Sequence, residues 1–134
     1  MSGVPLPRPS VPRDELLALI ERFRVAYEQK DLDTLMNLCS ADVRDRRASG
    51  RPSVKRLYAR NFAALDGIRY DLTRLEVAAA GAEQFVATGR FQIRATRLGP
   101  PRRSMDASGS VRWQLRRESG ELRITAIDYE HVHQ

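Results

Sequence analysis

Near Gly67 the apolar residues change their spacing, and that change decides the class of fold open to this chain. Before it, Leu16, Ile20, Phe23 and Tyr27 recur at helical intervals, with Leu17 and Leu19 widening the stripe. Val54, Leu57, Tyr58, Phe62 and Leu65 do the same. After it, apolar residues fall on every second position, as in Phe85, Ala87, Gly89, Phe91, Ile93 and Ala95. A helix buries residues three and four apart, whereas a half-buried strand buries alternate ones. A helical segment followed by consecutive strands is the pattern of an α+β domain.

The breaks in the pattern place the elements. A first helix is expected from Arg13 to Lys30, with Pro12 in its first turn, Ser10 as candidate cap, and Asp14 and Glu15 near the positive end of its dipole. A shorter helix follows Asp31 as cap and carries Leu32, Leu35, Met36 and Cys39 on its apolar side. The polar run Ser40 to Gly50 is expected to hold one short strand around Val43. Pro52 opens a third helix, which Asp66-Gly67 ends. Four long strands then follow in an antiparallel meander. The first alternates through Ile68, Tyr70 and Leu72, then slips phase to Leu75, Val77 and Ala79, as a β-bulge requires. The second carries Phe85 to Ala95, the third Met105 to Leu115. The fourth carries Leu122, Ile124, Ile127 and Tyr129, again with a slip. Gly89 and Gly109 inside strands imply strong bending of the sheet. The expected fold is therefore three N-terminal helices packed on a curved antiparallel sheet of four long strands plus one short one.

A chain of 134 residues suits one domain, because domains most often run to about 100–150 residues. Such a chain buries about two-thirds of its unfolded surface, enough for a core without staples. The single cysteine, Cys39, allows no internal disulfide and is compatible with a cytoplasmic location. Met1 to Pro12 contains four of the seven prolines and is read as a tail or linker (1–12) ahead of the domain (13–134). It has no apolar core for a signal peptide, and no apolar run reaches the roughly 18–20 residues of a membrane helix. The net charge of +6 invites a nucleic-acid reading. Yet only Lys30 and Lys55 among the 23 basic residues are lysine, the arginine bias that a GC-rich genome produces without selection for phosphate. No glycine-rich phosphate motif is present, and no aromatics alternate with the strand arginines to stack bases. Nucleic acid is not an expected partner.

Helix, short helix, short strand, helix and four long strands is an order that resembles the nuclear transport factor 2-like superfamily, from about Arg13 to His131. The local echoes are Tyr27-Glu28-Gln29-Lys30-Asp31-Leu32-Asp33-Thr34-Leu35 at the junction of the first helices, Ser40-Ala41-Asp42-Val43 entering the first strand, and Leu122-Arg123-Ile124-Thr125-Ala126-Ile127-Asp128-Tyr129 in the last. The arginine-rich style and proline-rich leader look like accessory domains attached to larger bacterial proteins, Ser/Thr kinases among them. The resemblance implies a pocket between helices and sheet. Phe23, Tyr27, Tyr58, Phe62, Tyr70, Phe91 and Trp113 are the residues expected to line it. Because the superfamily holds isomerases, dehydratases, transport factors and accessory domains, the fold leaves the function open.

Chemistry needs a titratable group within reach of a substrate, and the apolar parity of the second and third long strands offers no Asp, Glu or His. Asp42 and Asp45, beside Arg44, Arg46 and Arg47, are the acids that an enzyme would use, with Tyr58 as partner; a solvated loop of ion pairs is the alternative. Cys39 reads as a buried inert thiol. His131 and His133 alone make no zinc site, so neither metal nor cofactor is expected. The polar parity carries Thr88, Arg90, Ser108, Ser110 and Arg112, an expected interface with a second copy. Three functions stay open: a non-catalytic ligand-binding or assembly domain, expected as a homodimer, with an apolar pocket for a small ligand or a protein partner; a lyase or isomerase using Asp42 or Asp45; and an anion or nucleic-acid binder using the arginine face.

Overall fold

The structure, a computed structural model, describes residues 11–131. Three helices precede the bulk of the sheet: α1 (Arg13–Glu28), α2 (Leu32–Asn37) and α3 (Arg51–Ala63). The strands are β1 (Cys39–Asp45), β2 (Ala48–Ser49), β3 (Leu65–Gly81), β4 (Gln84–Arg97), β5 (Arg103–Glu118) and β6 (Glu121–His131). They form one sheet in the order β2-β1-β6-β5-β4-β3. The α+β class and the helix count are as expected.

The sheet differs from the expectation in two ways. Among the described residues it has six strands, because Cys39 to Ser49 forms the seven-residue β1 and the two-residue β2 rather than one short strand; Cys39, expected on the second helix, instead opens β1, because that helix stops at Asn37. It is also mixed, because β1 runs parallel to β6 while every other pairing is antiparallel. The α3 crossover explains the difference. It carries the chain from the β1–β2 hairpin to the far edge of the sheet, so that β6 returns alongside β1.

Local chemistry accounts for most boundaries. Asp31 caps α2, its carboxylate accepting the Thr34 backbone N–H at 3.2 Å. Gly50, at φ 86°, precedes α3, and Pro52 lies in its first turn, where a missing N–H costs nothing. Pro12 stands at the N-cap of α1 instead of inside its first turn; the candidate cap Ser10 lies outside the described residues, as do Met1 to Ser10 of the proline-rich segment. Asp66-Gly67 does not end α3. The helix stops at Ala63, and both residues fall in β3 at a register irregularity, with Gly67 at φ 59°. The two phase slips are bulges: the β3–β4 register shifts between Thr73 and Glu76, and the β5–β6 register shifts opposite Thr125.

The core lies between α1 and the concave sheet face. Phe23 meets Trp113 edge-to-face at a centroid distance of 5.7 Å and Tyr70 at 6.4 Å. Leu16, Leu19 and Ile20 from α1 are buried with Leu115, Ile124 and Ile127 from the sheet. The edge strand β3 is blunted where α1 crosses it. Glu28 accepts the Tyr70 backbone N–H at 2.8 Å, and Arg24 donates to the Tyr70 carbonyl at 3.2 Å. Two backbone groups that could template another chain are thus occupied by side chains.

Candidate functional site

A cavity of about 430 Å³ opens where the end of β1, α3, and the facing ends of β4, β5 and β6 come together. Its apolar wall is Leu57, Leu65, Phe91, Ile93, Met105 and Ala107. Its polar groups are Tyr27, Asp45, Tyr58, Asn61, Asp106, Tyr129 and His131, with Arg46, Arg47 and Arg97. A volume of this size falls in the range of small-molecule sites, and the mix of apolar wall and few polar groups is typical of them.

Asp45 is the last residue of β1, where burial alternates through Val43 (buried), Arg44 (exposed) and Asp45 (half-buried). That parity turns its carboxylate toward α3, and the Tyr58 hydroxyl donates to it at 3.1 Å. Burial first, and the charge of Asp45 second, hold the Tyr58 hydroxyl well above its ordinary value. Tyr27 is pushed up to about 12 for the same two reasons, burial being the larger. On the other wall the Tyr129 and Tyr70 hydroxyls lie 2.8 Å apart, and burial raises both. Every tyrosine here is therefore neutral near pH 7 and can act as a hydrogen-bond donor. His131 stands at the rim, its ring edge-on to Phe91 at 5.7 Å and stacked with Tyr129 at 6.5 Å.

Asp42 does not join Asp45. Residues three apart on a strand point to opposite faces. Asp42 is exposed and takes hydrogen bonds from Ser40 at 2.7 Å and Arg116 at 3.1 Å. Those bonds, Ser40's first, hold its carboxyl below the usual carboxylate range. Of the residues expected to line a pocket, Tyr27, Tyr58 and Phe91 do so. Phe23, Phe62, Tyr70 and Trp113 instead fill the core behind the wall and are at most 5% exposed. Cys39 is buried, and burial pushes its thiol up to about 12.

Tyr129 and His131 were not expected in the site, although the sequence carries the signal. After the slip at Thr125, Ile127, Tyr129 and His131 share one parity, and they pair with the concave residues Trp113, Val111 and Gly109. Met105 and Arg97 share the concave parity of their strands, but only the meeting of β4, β5 and α3 brings them together with Asn61. His133 lies outside the described residues, and among the described residues no group of three His, Cys, Asp or Glu could hold a metal ion.

The residues expected at an interface share the convex face. The register sets Arg112 between Thr88 and Asp128, and Ser110 between Arg90 and Glu130. Arg112 thus stands next to a carboxylate of β6, while Ser110 separates Arg90 from Glu130. Among the described residues no helix is long and apolar enough to cross a membrane.

No protein-family model matches the sequence, and no curated protein is similar to it. Solved structures do match. A proposed aromatic ring hydroxylase from Novosphingobium aromaticivorans superposes with a TM-score of 0.83 at 12% identity, over 93% of this chain and 94% of that one. A proposed dehydratase of the NTF2-like family from Streptomyces avermitilis gives 0.79 at 20% identity, over 91% and 97%. An uncharacterised protein with a cystatin-like fold from Caulobacter vibrioides gives 0.78 at 14% identity, over 90% and 89%. At such identities the likeness is one of fold, and on that ground this chain has the nuclear transport factor 2-like, cystatin-like α+β fold.

Proposed function

We propose that this chain is a small-molecule binding domain that takes a ring-bearing, mostly apolar ligand into the cavity and anchors a polar group of it at Asp45 and Tyr58. The observation that carries the reading is the Tyr58–Asp45 hydrogen bond beside the apolar and aromatic wall of a cavity of about 430 Å³. A few placed polar groups in an apolar cleft orient a ligand, while the apolar wall supplies affinity. Binding alone accounts for these features, and turnover is not required. Ala107 tests it. Its Cβ is on the concave parity of β5, so Ala107→Phe places a ring in the cavity. Thermal-shift screening of aromatic compounds should find ligands for the wild type that the variant no longer binds while its own melting temperature is kept. Ligands that bind both proteins alike would overturn the assignment of the cavity.

A second reading, a lyase or isomerase, gains from one observation: Asp45 and His131 line the same cavity beside neutral tyrosines. An acid–base pair across a substrate is what such chemistry needs. It expects turnover that Asp45→Asn abolishes while ligand binding persists.

The proposal includes a homodimer through the convex face. Thr88, Ser108 and Ser110 form a small polar centre, and Arg112 beside Asp128, with Arg90 and Glu130 flanking Ser110, lets a two-fold axis set opposite charges against one another. The single buried thiol supports a cytoplasmic setting.

A further inference from the structure

The concave parity of β4 does not end in an apolar residue. It runs Phe91, Ile93, Ala95 and then Arg97, and Arg97 lines the cavity. Directly opposite, on β5, the same parity runs Ala107, Met105 and then Arg103, and the register pairs Arg97 with Arg103. Two like charges set opposite each other on one face are destabilising, so this pair costs stability unless an anion lies between or above them. From the other side of the opening, the β1–β2 turn brings Arg46 and Arg47 to the same cavity. Among the described residues Arg46, Arg47 and Arg97 form no ion pair with a carboxylate.

Two carboxylates also line the cavity, and neither lies within ion-pair distance of these arginines. Asp45 accepts the Tyr58 hydroxyl rather than a guanidinium. Asp106 lies on the convex parity, where the register sets it against Arg94. Three lining arginines against two lining carboxylates, with Arg103 set beside Arg97, leave the rim between β4 and the β1–β2 turn net cationic. Guanidinium groups are suited to this work because their planar fork meets a carboxylate, sulfonate or phosphate with paired donors.

We propose that the ligand is an amphipathic anion: an apolar ring system held by Phe91, Ile93 and Met105, with an acidic head group at the rim bound by Arg97, Arg46 and Arg47. This deepens the binding reading and rests on it.

Two fluorescent probes of nearly the same shape test it. The anionic one is 8-anilino-1-naphthalenesulfonate; N-phenyl-1-naphthylamine is its neutral counterpart without the sulfonate. The wild type should bind the anionic probe about 10-fold more tightly at low salt, as two or three partly exposed charge pairs supply. That advantage should shrink as sodium chloride screens the rim. Arg97→Gln, and separately the double variant Arg46→Gln/Arg47→Gln, should each weaken the anionic probe by about 3–5-fold and leave the neutral one unchanged. Ala107→Phe should abolish both, which places the probes in the cavity rather than on loose surface. Equal affinity for the two probes, or an anionic affinity unmoved by salt and by the arginine variants, overturns the anion proposal while the cavity reading stands. Failure of both probes to bind, or binding that Ala107→Phe does not disturb, overturns both readings together.

Discussion

Tyr27 shows how one residue on α1 serves both core and site. Its ring is 8% exposed and packs edge-on to Phe62 and Tyr70, each at 5.1 Å, while its edge reaches the cavity. Burial, aided by Asp45, raises its hydroxyl from 10.0 to about 12. The folded state therefore keeps a proton that the unfolded chain releases, and stability falls as pH rises between those two values. Below about 10 the contribution is constant. Tyr27→Phe should flatten the alkaline limb of a denaturant-derived stability profile by up to about 2–3 kcal/mol between pH 10 and 12. Tyr58, Tyr70 and Tyr129 will leave a residual slope. A variant profile that overlays the wild type would refute this account. Gly109 constrains the site in a different way. A Cβ there would run into the Glu130 carbonyl oxygen and crowd the His131 backbone. Backbone cannot step aside as a side chain can, so Gly109→Ala should push the end of β6 outward. The expected cost is about 1–3 kcal/mol in unfolding free energy, with ligand affinity lost as Tyr129 and His131 move.

At the scale of elements, Lys30 joins parts of the chain that are far apart in sequence. It follows α1 at φ 55°, and its Nζ donates to the Leu65 carbonyl at 2.7 Å and the Phe62 carbonyl at 3.3 Å. The cation thus satisfies carbonyls where α3 hands over to β3, near the cavity wall. Cations at a helix C-terminus are also favoured by its dipole. Lys30→Met keeps the stem and the backbone strain but removes both hydrogen bonds. It should lower stability by about 1–3 kcal/mol, whereas Lys55→Met, at an exposed position on α3, should change it by less than about 0.5 kcal/mol. Chemical denaturation of the two variants side by side makes the comparison.

For the whole molecule, the sheet has two faces with two assignments. The concave face holds the core and the cavity, and the convex face carries Thr88, Arg90, Ser108, Ser110 and Arg112. If the convex face pairs with itself, light scattering of the wild type should report a dimer. Ser110→Arg, which sets a second cation beside Arg90, should then give a monomer with an unchanged melting temperature. A wild type that remains monomeric at high concentration would remove the dimer from the proposal, and the cavity reading would be unaffected.

The residue pattern by itself determined the class of fold and most of its elements. Periods of 3.6 and 2 are set by backbone geometry, and each residue meets them locally. Even the bulges at Arg74 and Thr125 show as slips of phase. Whether Asp42 or Asp45 reaches the cavity was decided by β1 being a strand, which sends the two to opposite faces; a loop would have allowed both. Which aromatics line the cavity was decided by tertiary packing. Phe23, Phe62, Tyr70 and Trp113 carry the same apolar signal as Tyr27, Tyr58 and Phe91, but they lie where α1 closes on the sheet. The arginine rim is likewise a product of register, since Arg97 and Arg103 meet only because β4 and β5 pair without a slip. Periodicity records which side of its own element a residue occupies. The contents of the cavity depend on where the ends of five elements meet, and a one-dimensional pattern does not hold that distance information.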